Sequence, residues 1–203
     1  MTIFNPDEQN RNLDSRIVAG MERLSQVFRA LLWEQAVQQS LSPIQIQLLI
    51  FIRYHSAAEN NVSYLAGAFD LTKPTISDAV KVLAQKGLIR KIPDLSDSRR
   101  YSIELTAGGM QVVSDTESFT APFTEWIVQV GEGEKQLLWK AIAGLIRTLN
   151  RTGVISVQRT CYSCRYHTVE EDIHFCNLLK EQLPVENIRI DCPEYAAGQG
   201  MTV

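Results

Sequence analysis

Four cysteines supply most of the chemistry that this sequence offers. Cys161, Cys164, Cys176 and Cys192 follow the spacing C-x2-C-x11-C-x15-C, and no cysteine precedes them. Thiolates bind zinc and iron well, and a C-x2-C pair can present two sulfurs from one tight turn. In a reducing compartment such a group predicts metal or redox chemistry.

The choice of cofactor stays open at this stage. A zinc ion held by all four cysteines is the first expectation, because the segment around them is too short to bury a core of its own and would gain folding free energy from the metal. An iron–sulfur cluster on the same four thiolates is the alternative. Cys192-Pro193 resembles a ferredoxin-type run, and the chain lacks the second C-x2-C of a zinc ribbon. A thiol–disulfide switch or inert buried thiols are further possibilities.

Charged and imidazole side chains near the cysteines could support such a site. His167 and His174 could replace a cysteine or hydrogen-bond to a ligand. Guanidinium groups could offset the negative charge of the thiolates through hydrogen bonds to sulfur. The arginines placed for this are Arg159, Arg165 and Arg189, which could instead pair with the local carboxylates Glu170, Glu171 and Asp172.

Composition and charge exclude several classes of protein. The chain has 203 residues, 45% of them hydrophobic and 21% charged, which suits a folded protein. No apolar run approaches the ~18 residues of a membrane helix. The first eleven residues are polar and lack the pattern of a secretory signal, so we expect a cytoplasmic protein with no membrane partner. The net charge is −3, and only residues 62–105 carry more basic than acidic side chains. A nucleic acid would meet the protein there.

Hydrophobic periodicity and breakers predict a mainly helical chain with one β-hairpin. The predicted helices cover residues 13–39, 43–54, 62–69, 71–86, 106–130 with a break at Pro122, 134–151 and 169–183, the last turning Cys176 inward. Two strands, 88–92 and 101–105, flank a polar tip. Short helices followed by a basic hairpin are the parts of a winged helix-turn-helix, whose helix 71–86 would enter the major groove.

The same region resembles the MarR family of bacterial regulators. Short motifs occur in the order and spacing of that family across residues 41–109. They are Leu41-Ser42-x-x-Gln45, Leu65-Ala66, Thr75-Ile76-Ser77, Gly87-Leu88-Ile89, Asp97-x-Arg99-Arg100 and Leu105-Thr106-x-x-Gly109. With the flanking helices, the resemblance extends over roughly residues 10–153.

The resemblance implies a set of DNA contacts. Asp97 would pair with Arg99 at the tip of the wing, poised for the minor groove, with Arg100 beside it. The residues on or next to the groove-facing surface of the helix would be Thr72, Lys73, Thr75, Ser77, Asp78 and Lys81. Asp78 would repel phosphate unless it accepts a hydrogen bond from a cytosine amino group or pairs with a basic side chain.

The resemblance also implies a homodimer that binds double-stranded DNA at a near-palindromic operator, with recognition helices ~34–36 Å apart. The expected domains are an N-terminal dimerisation helix (1–40), the winged helix-turn-helix (41–109), further dimerisation helices (110–153) and a cysteine-rich metal-binding extension (154–203). The fold class is therefore mainly α with a small β-hairpin wing, followed by a small metal-stabilised module.

These observations predict a transcriptional regulator, with repression as the expected mode, rather than an enzyme. The cysteine site would stabilise the protein or sense metal or redox state. Two alternatives are a thiol–disulfide redox protein using Cys161 and Cys164, and a winged-helix adaptor that binds protein. The sequence does not identify a small-molecule effector, an operator sequence or a target gene.

Overall fold

A computed structural model describes residues 4–94, 97, 100–155, 159–171 and 173–198. Eight α-helices are present in this part of the chain: α1 (Pro6–Arg11), α2 (Leu13–Gln38), α3 (Pro43–Tyr54), α4 (Val62–Ala68), α5 (Lys73–Gln85), α6 (Ala107–Thr116), α7 (Ala121–Gln129) and α8 (Glu132–Arg151). The strands form two antiparallel sheets: β1 (Ile89–Pro93) with β2 (Tyr101–Leu105), and β3 (His167–Glu170), β4 (Ile173–Cys176) and β5 (Glu181–Gln182).

Helices α3, α4 and α5 and the β1–β2 hairpin share one hydrophobic core. Its fully buried members include Leu49 of α3, Leu65 of α4, Leu83 of α5 and Ile103 of β2. This arrangement confirms the predicted winged helix. The predicted bounds differ from the observed ones by at most two residues.

Local signals in the sequence set the ends of these helices. At the start of α3, Ser42 and Gln45 form a reciprocal capping box, in which the Gln45 side chain accepts from the Ser42 amide at 2.9 Å. Pro43 occupies the first turn, where no amide hydrogen is needed. After α5, Gly87 takes a φ of 69°, a left-handed conformation that ends the helix without strain.

Of the flanking helices, α6 adds the buried Val113 to this core. A 3-10 turn, Glu117–Thr120, separates α6 from α7. The break was predicted at Pro122 and is observed just before it, since Pro122 lies in the first turn of α7. In α2 a stripe of apolar side chains at helical spacing is exposed: Ile17, Met21, Leu24 and Phe28. Helix α1 was not predicted from the sequence.

The C-terminal tail, residues 159–198, corrects one expectation. The predicted helix over 169–183 is wrong, because this stretch forms the β3–β4 hairpin and the short strand β5. Glu171 adopts a φ of 48° at the turn between β3 and β4, a conformation that ends any helix there. The buried apolar core of the tail is small and consists of Cys161, Leu183 and Ile188.

Two contacts from α8 hold the tail. The indole Nε1 of Trp139 donates to the carbonyl of Val185 at 2.9 Å. The guanidinium of Arg147 lies 4.7 Å from the centre of the Tyr162 ring. Among the described residues, no helix is both long and apolar enough to span a bilayer.

Gly109 allows α6 to approach Leu88, the residue that precedes β1, closely. A Cβ at this position would lie 2.0 Å from the carbonyl oxygen of Leu88, whereas at Gly108 the nearest atoms would be 3.7 Å away. We expect Gly109→Ala to lower the free energy of unfolding by about 1–3 kcal/mol, because the backbone has to move. Gly108→Ala is the matched control and should be neutral or slightly stabilising, since alanine favours a helix by about 0.5–1 kcal/mol over glycine. Urea denaturation of the two variants checks this, and equal midpoints would contradict it.

Candidate nucleic-acid interface and cysteine cavity

Helix α5 presents a polar face to solvent. Its first turn is fixed by Thr72, whose Oγ1 accepts from the amide of Thr75 at 3.3 Å, and by Pro74. One face of the helix is buried through Ile76 and Val80. The residues predicted to contact DNA lie on the remaining surface and are all exposed: Thr72, Lys73, Thr75, Ser77, Asp78 and Lys81.

The basic residues of the wing differ in whether a neighbouring group offsets their charge. Arg90 and Glu104 are opposite each other in the β1–β2 register and form an ion pair at 2.7 Å, so Arg90 is locally neutralised. The Lys91 ammonium lies 4.5 Å from the centre of the Tyr101 ring. Because the tyrosine ring carries no net charge, this contact does not neutralise Lys91.

The tip of the wing is only partly described. Arg100 Nε lies 3.5 Å from Asp97 Oδ2, and the Arg100 side chain is 78% exposed. Arg99, the residue expected to pair with Asp97, lies outside the described residues, and the Asp97–Arg99 pair stays a prediction. The structure thus adds Arg100 as a partner of Asp97, which the sequence did not suggest.

All four cysteines line one cavity of about 20 Å³. Cys161 and Cys164 bracket a 3-10 turn, Cys176 ends β4, and Cys192 lies in the loop after the 3-10 turn Val185–Asn187. The four side chains therefore border one space, and the metal site itself stays a prediction. The rest of the lining is mainly apolar and includes Tyr166, Leu178, Leu179 and Leu183.

Arg189 lies against two of the sulfurs. Its backbone amide donates to Cys161 Sγ at 3.3 Å, and its guanidinium donates to Cys192 Sγ at 3.6 Å. The same guanidinium pairs with Glu194 at 2.8 Å, and the Cys192 thiol donates to that carboxylate at 3.3 Å. Of the three arginines proposed to serve the cysteines, Arg189 is the one with these sulfur contacts.

The two histidines of the tail form a pair beside the cavity. Their rings are stacked with centroids 5.1 Å apart, and His167 Nε2 lies 2.9 Å from His174 Nδ1. His167 also lines the cavity. Burial lowers the pKa of His167, with smaller contributions from His174 and Arg147, so its neutral form is favoured.

Two of the four thiols, Cys161 and Cys192, favour the protonated state. Burial raises the pKa of Cys161 and of Cys192. Within the described residues, no group of three or more His, Cys, Asp or Glu side chains is arranged to hold a metal ion. The cysteines therefore share a cavity but are not drawn together around a single point.

Arg159 joins the tail to the loop between α3 and α4. This side chain is only 8% exposed; its Nη1 lies 2.8 Å from Glu59 and 3.4 Å from Asp191. Its Nη2 donates to the carbonyl of Cys192 at 2.7 Å. The guanidinium thus contacts the backbone of one cavity residue and a carboxylate of the winged helix at the same time.

His55 makes a second connection between the same two regions. Its Nε2 lies 2.8 Å from Asp191 Oδ2, and its Nδ1 lies 2.8 Å from the carbonyl of Phe51. The ring is thus placed between a carboxylate of the tail and a backbone carbonyl of α3. Sequence reasoning missed the roles of His55 and Arg159, because Glu59 lies 100 residues from Arg159 and Asp191 lies 136 residues from His55, and no spacing signal links them.

The α3–α4 loop also supports the wing. Glu59 accepts from the Ser56 amide and hydroxyl at 2.9 and 2.8 Å. The next residue, Asn60, accepts at its carbonyl from the amide of Ile103 in β2 at 2.7 Å. Contacts therefore run from Cys192 through Arg159 and this loop to the hairpin.

Comparison with known proteins locates the family likeness in the winged helix. Residues 39–100 match the MarR family model. The fold resembles that of S. aureus MepR in a MepR–DNA complex, with 23% identity, 64% of this chain and 94% of that chain covered, and a TM-score of 0.56. It also resembles S. aureus MepR in its DNA-binding conformation, with 22% identity, coverages of 66% and 98%, and a TM-score of 0.58. No curated protein matches the chain.

These comparisons bear on the winged helix and its flanking helices. MepR is nearly fully covered, whereas about a third of this chain has no counterpart in it. At this level of identity the likeness shows the fold. The match over residues 39–100 includes both His55 and Glu59, so the contacts of the tail fall within the MarR-like segment.

The Arg159 cluster predicts a stability effect. In Arg159→Met, the Glu59 carboxylate, whose side chain is 17% exposed, loses its cationic partner. We expect the free energy of unfolding to fall by about 3 kcal/mol, as when one member of a buried ion pair is removed. Chemical denaturation followed by circular dichroism measures it.

The matched control for this variant is Lys135→Met. Lys135 pairs with Glu132 at 3.7 Å, and the Glu132 side chain is 76% exposed. Loss of such a surface pair should change stability by less than about 1 kcal/mol. If the two variants unfold at the same denaturant concentration, Arg159 has no special role in joining the tail to the winged helix.

Proposed function

We propose that this chain is a homodimeric, sequence-specific DNA-binding transcriptional regulator, acting as a repressor. The observation that carries the proposal is the exposed polar face of α5 beside the β1–β2 wing, in a segment that matches the MarR family. Structures of S. aureus MepR include a DNA complex and a DNA-binding conformation. This chain shares the fold that presents those elements.

In the proposed complex, the N-terminal half of α5 enters the major groove. Short side chains such as Thr75 and Ser77 come close to base edges, while Lys73 and Lys81 contact phosphates. Arg99 and Arg100 at the wing approach the minor groove, where negative potential is concentrated. Asp78 then adds selectivity, because a carboxylate near the backbone is tolerated only where it accepts a hydrogen bond.

Lys73 provides the test of DNA binding. With Lys73→Gln, affinity for a duplex containing the region upstream of the gene should fall at every salt concentration. The slope of log affinity against log salt should become shallower by about one for each protomer, because one phosphate contact is lost. Electrophoretic mobility shifts from low to high salt measure both quantities.

Lys135→Gln is the control, since it removes the same charge from α8, away from α5 and the wing. It should leave both affinity and slope unchanged. A wild-type protein that does not retard DNA even at low salt, or whose binding ignores salt, would contradict the proposal. Such a result would favour a winged-helix adaptor that binds protein.

We propose that a second copy of the chain packs against the exposed apolar stripes. On α2, a helix of 26 residues, the stripe runs from Ile17 to Phe28, and α8 adds Leu137, Leu138, Ile142 and Leu145. The two helices flank the winged helix at opposite ends of the sequence, as in the dimerising part that the MarR resemblance implies. Stripes of this extent are typical of interfaces in obligate dimers.

Leu24 tests the dimer. Its side chain is 52% exposed, and Leu24→Glu should shift the protein from dimer to monomer because it places a charge in the interface. Ile173→Glu, at a residue that is 51% exposed in the tail, is the matched control and should stay dimeric. Light scattering after size-exclusion chromatography gives the mass. A monomeric wild type, or an unchanged Leu24→Glu mass, would overturn the dimer.

A cofactor bound by Cys161, Cys164, Cys176 and Cys192 completes the proposal. It stabilises the tail, and its loss changes DNA binding because Arg159 ties the Cys192 backbone to the α3–α4 loop. The cofactor would regulate DNA binding only if its loss shifted the protein between arrangements that differ in DNA affinity. Zinc, with an iron–sulfur cluster next, is the assignment that the cysteine count favours.

A further inference from the structure

We infer that the C-terminal tail positions the wing for DNA binding, with Arg159 and Asn60 as the positioning residues. The inference rests on the proposed function, because it assigns a role in DNA binding to residues outside α5 and the wing. It requires no cofactor. Three features carry it: the limited anchoring of the wing in the core, the contacts of Asn60, and the hydrogen bonds within the α3–α4 loop.

Few side chains anchor the wing in the hydrophobic core. Each of its strands contributes one buried side chain, Ile89 from β1 and Ile103 from β2. Helix α5, in contrast, buries four side chains along its length. Loss of a contact outside the core should therefore displace the wing more readily than α5.

Asn60 makes such a contact with the wing. Its carbonyl accepts from the amide of Ile103 at 2.7 Å. Asn60 is only 4% exposed, and its Nδ2 donates to the carbonyls of Ile52 and His55, each at 3.1 Å. Both carbonyls belong to the end of α3, where a helix leaves carbonyls without partners of its own. Asn60 thus joins the end of α3 to β2.

The α3–α4 loop can transmit the position of the tail to Asn60. The amides of Glu59 and Asn60 both donate to the carbonyl of Ser56, at 2.9 and 3.1 Å. One carboxylate oxygen of Glu59 closes the same turn by accepting from Ser56. The other oxygen lies 2.8 Å from Arg159 Nη1. Because these groups are bonded to one another, a displacement of Arg159 would move the turn and Asn60 with it.

Burial explains why the loop depends on Arg159. The side chains of Arg159 and Glu59 are 8% and 17% exposed, so both charges are largely removed from water. Without the guanidinium, the Glu59 carboxylate would be stabilised by turning towards solvent. That movement would open the turn that holds Asn60 against the wing.

Amide hydrogen exchange in the full chain, followed by NMR, tests the inference without DNA. In Arg159→Met, exchange at Ile103 should become about tenfold faster relative to exchange at Val80 in α5. The ratio of the two rates is the decisive quantity, because global unfolding exposes both amides and would accelerate both by the same factor. An unchanged ratio would overturn the inference.

Glu59→Gln gives the answer if Arg159→Met does not fold. It removes the charge that faces Arg159 and keeps the shape of the side chain, and the same ratio of rates should rise. Lys135→Met, which removes a basic side chain from α8, is the matched control and should keep the wild-type ratio. An equal rise in the control would contradict a specific role for the tail.

Mobility shifts with paired substitutions show whether the position of the wing matters for DNA. In the wild-type background, Arg100→Gln at the exposed wing tip should lower affinity about fivefold. In the Arg159→Met background the same change should lower affinity less than about twofold, since a displaced wing no longer makes the contact. Lys73→Gln should keep its full effect in both backgrounds, because α5 stays in place. Equal effects of Arg100→Gln in both backgrounds would refute the inference.

The two measurements keep the inference and the proposed function separate. A wild-type protein that retards no DNA would refute the regulator, and the exchange ratio would still decide whether the tail positions the wing. Retardation of DNA together with an unchanged exchange ratio would refute the inference and leave the regulator standing.

Discussion

The contact between the C-terminal tail and the winged helix depends on the buried guanidinium of Arg159. It contacts Glu59, Asp191 and the carbonyl of Cys192 within one small volume. A buried cation is tolerated only while its partners surround it, so these groups must take their positions together. Tyr64 lies in the same environment, and burial raises its pKa to about 12.

The winged helix could be predicted because its signals are local. Ser42 with Gln45 and Thr72 with Pro74 start helices within a few residues, and Gly87 ends one. The buried stripe of α5 follows directly from helical spacing. The positions of the predicted DNA-contacting residues on an exposed face follow from the same periodicity.

The tail could not be predicted to the same depth. Its apolar residues allowed a helix as well as a hairpin, and pairing between β3 and β4 decided the outcome. That the cysteines would share a cavity was expected from their number. The space between them was not, because it depends on how Leu183 and Ile188 pack beneath Cys161.

The small core of the tail has a consequence for what keeps this segment ordered. Three buried apolar residues cannot by themselves offset the conformational entropy lost by some forty ordered ones. Order in this segment therefore depends on its contacts with the surface of α8 and with the α3–α4 loop. A change that moves either surface would loosen the whole segment, including the cavity between the four cysteines.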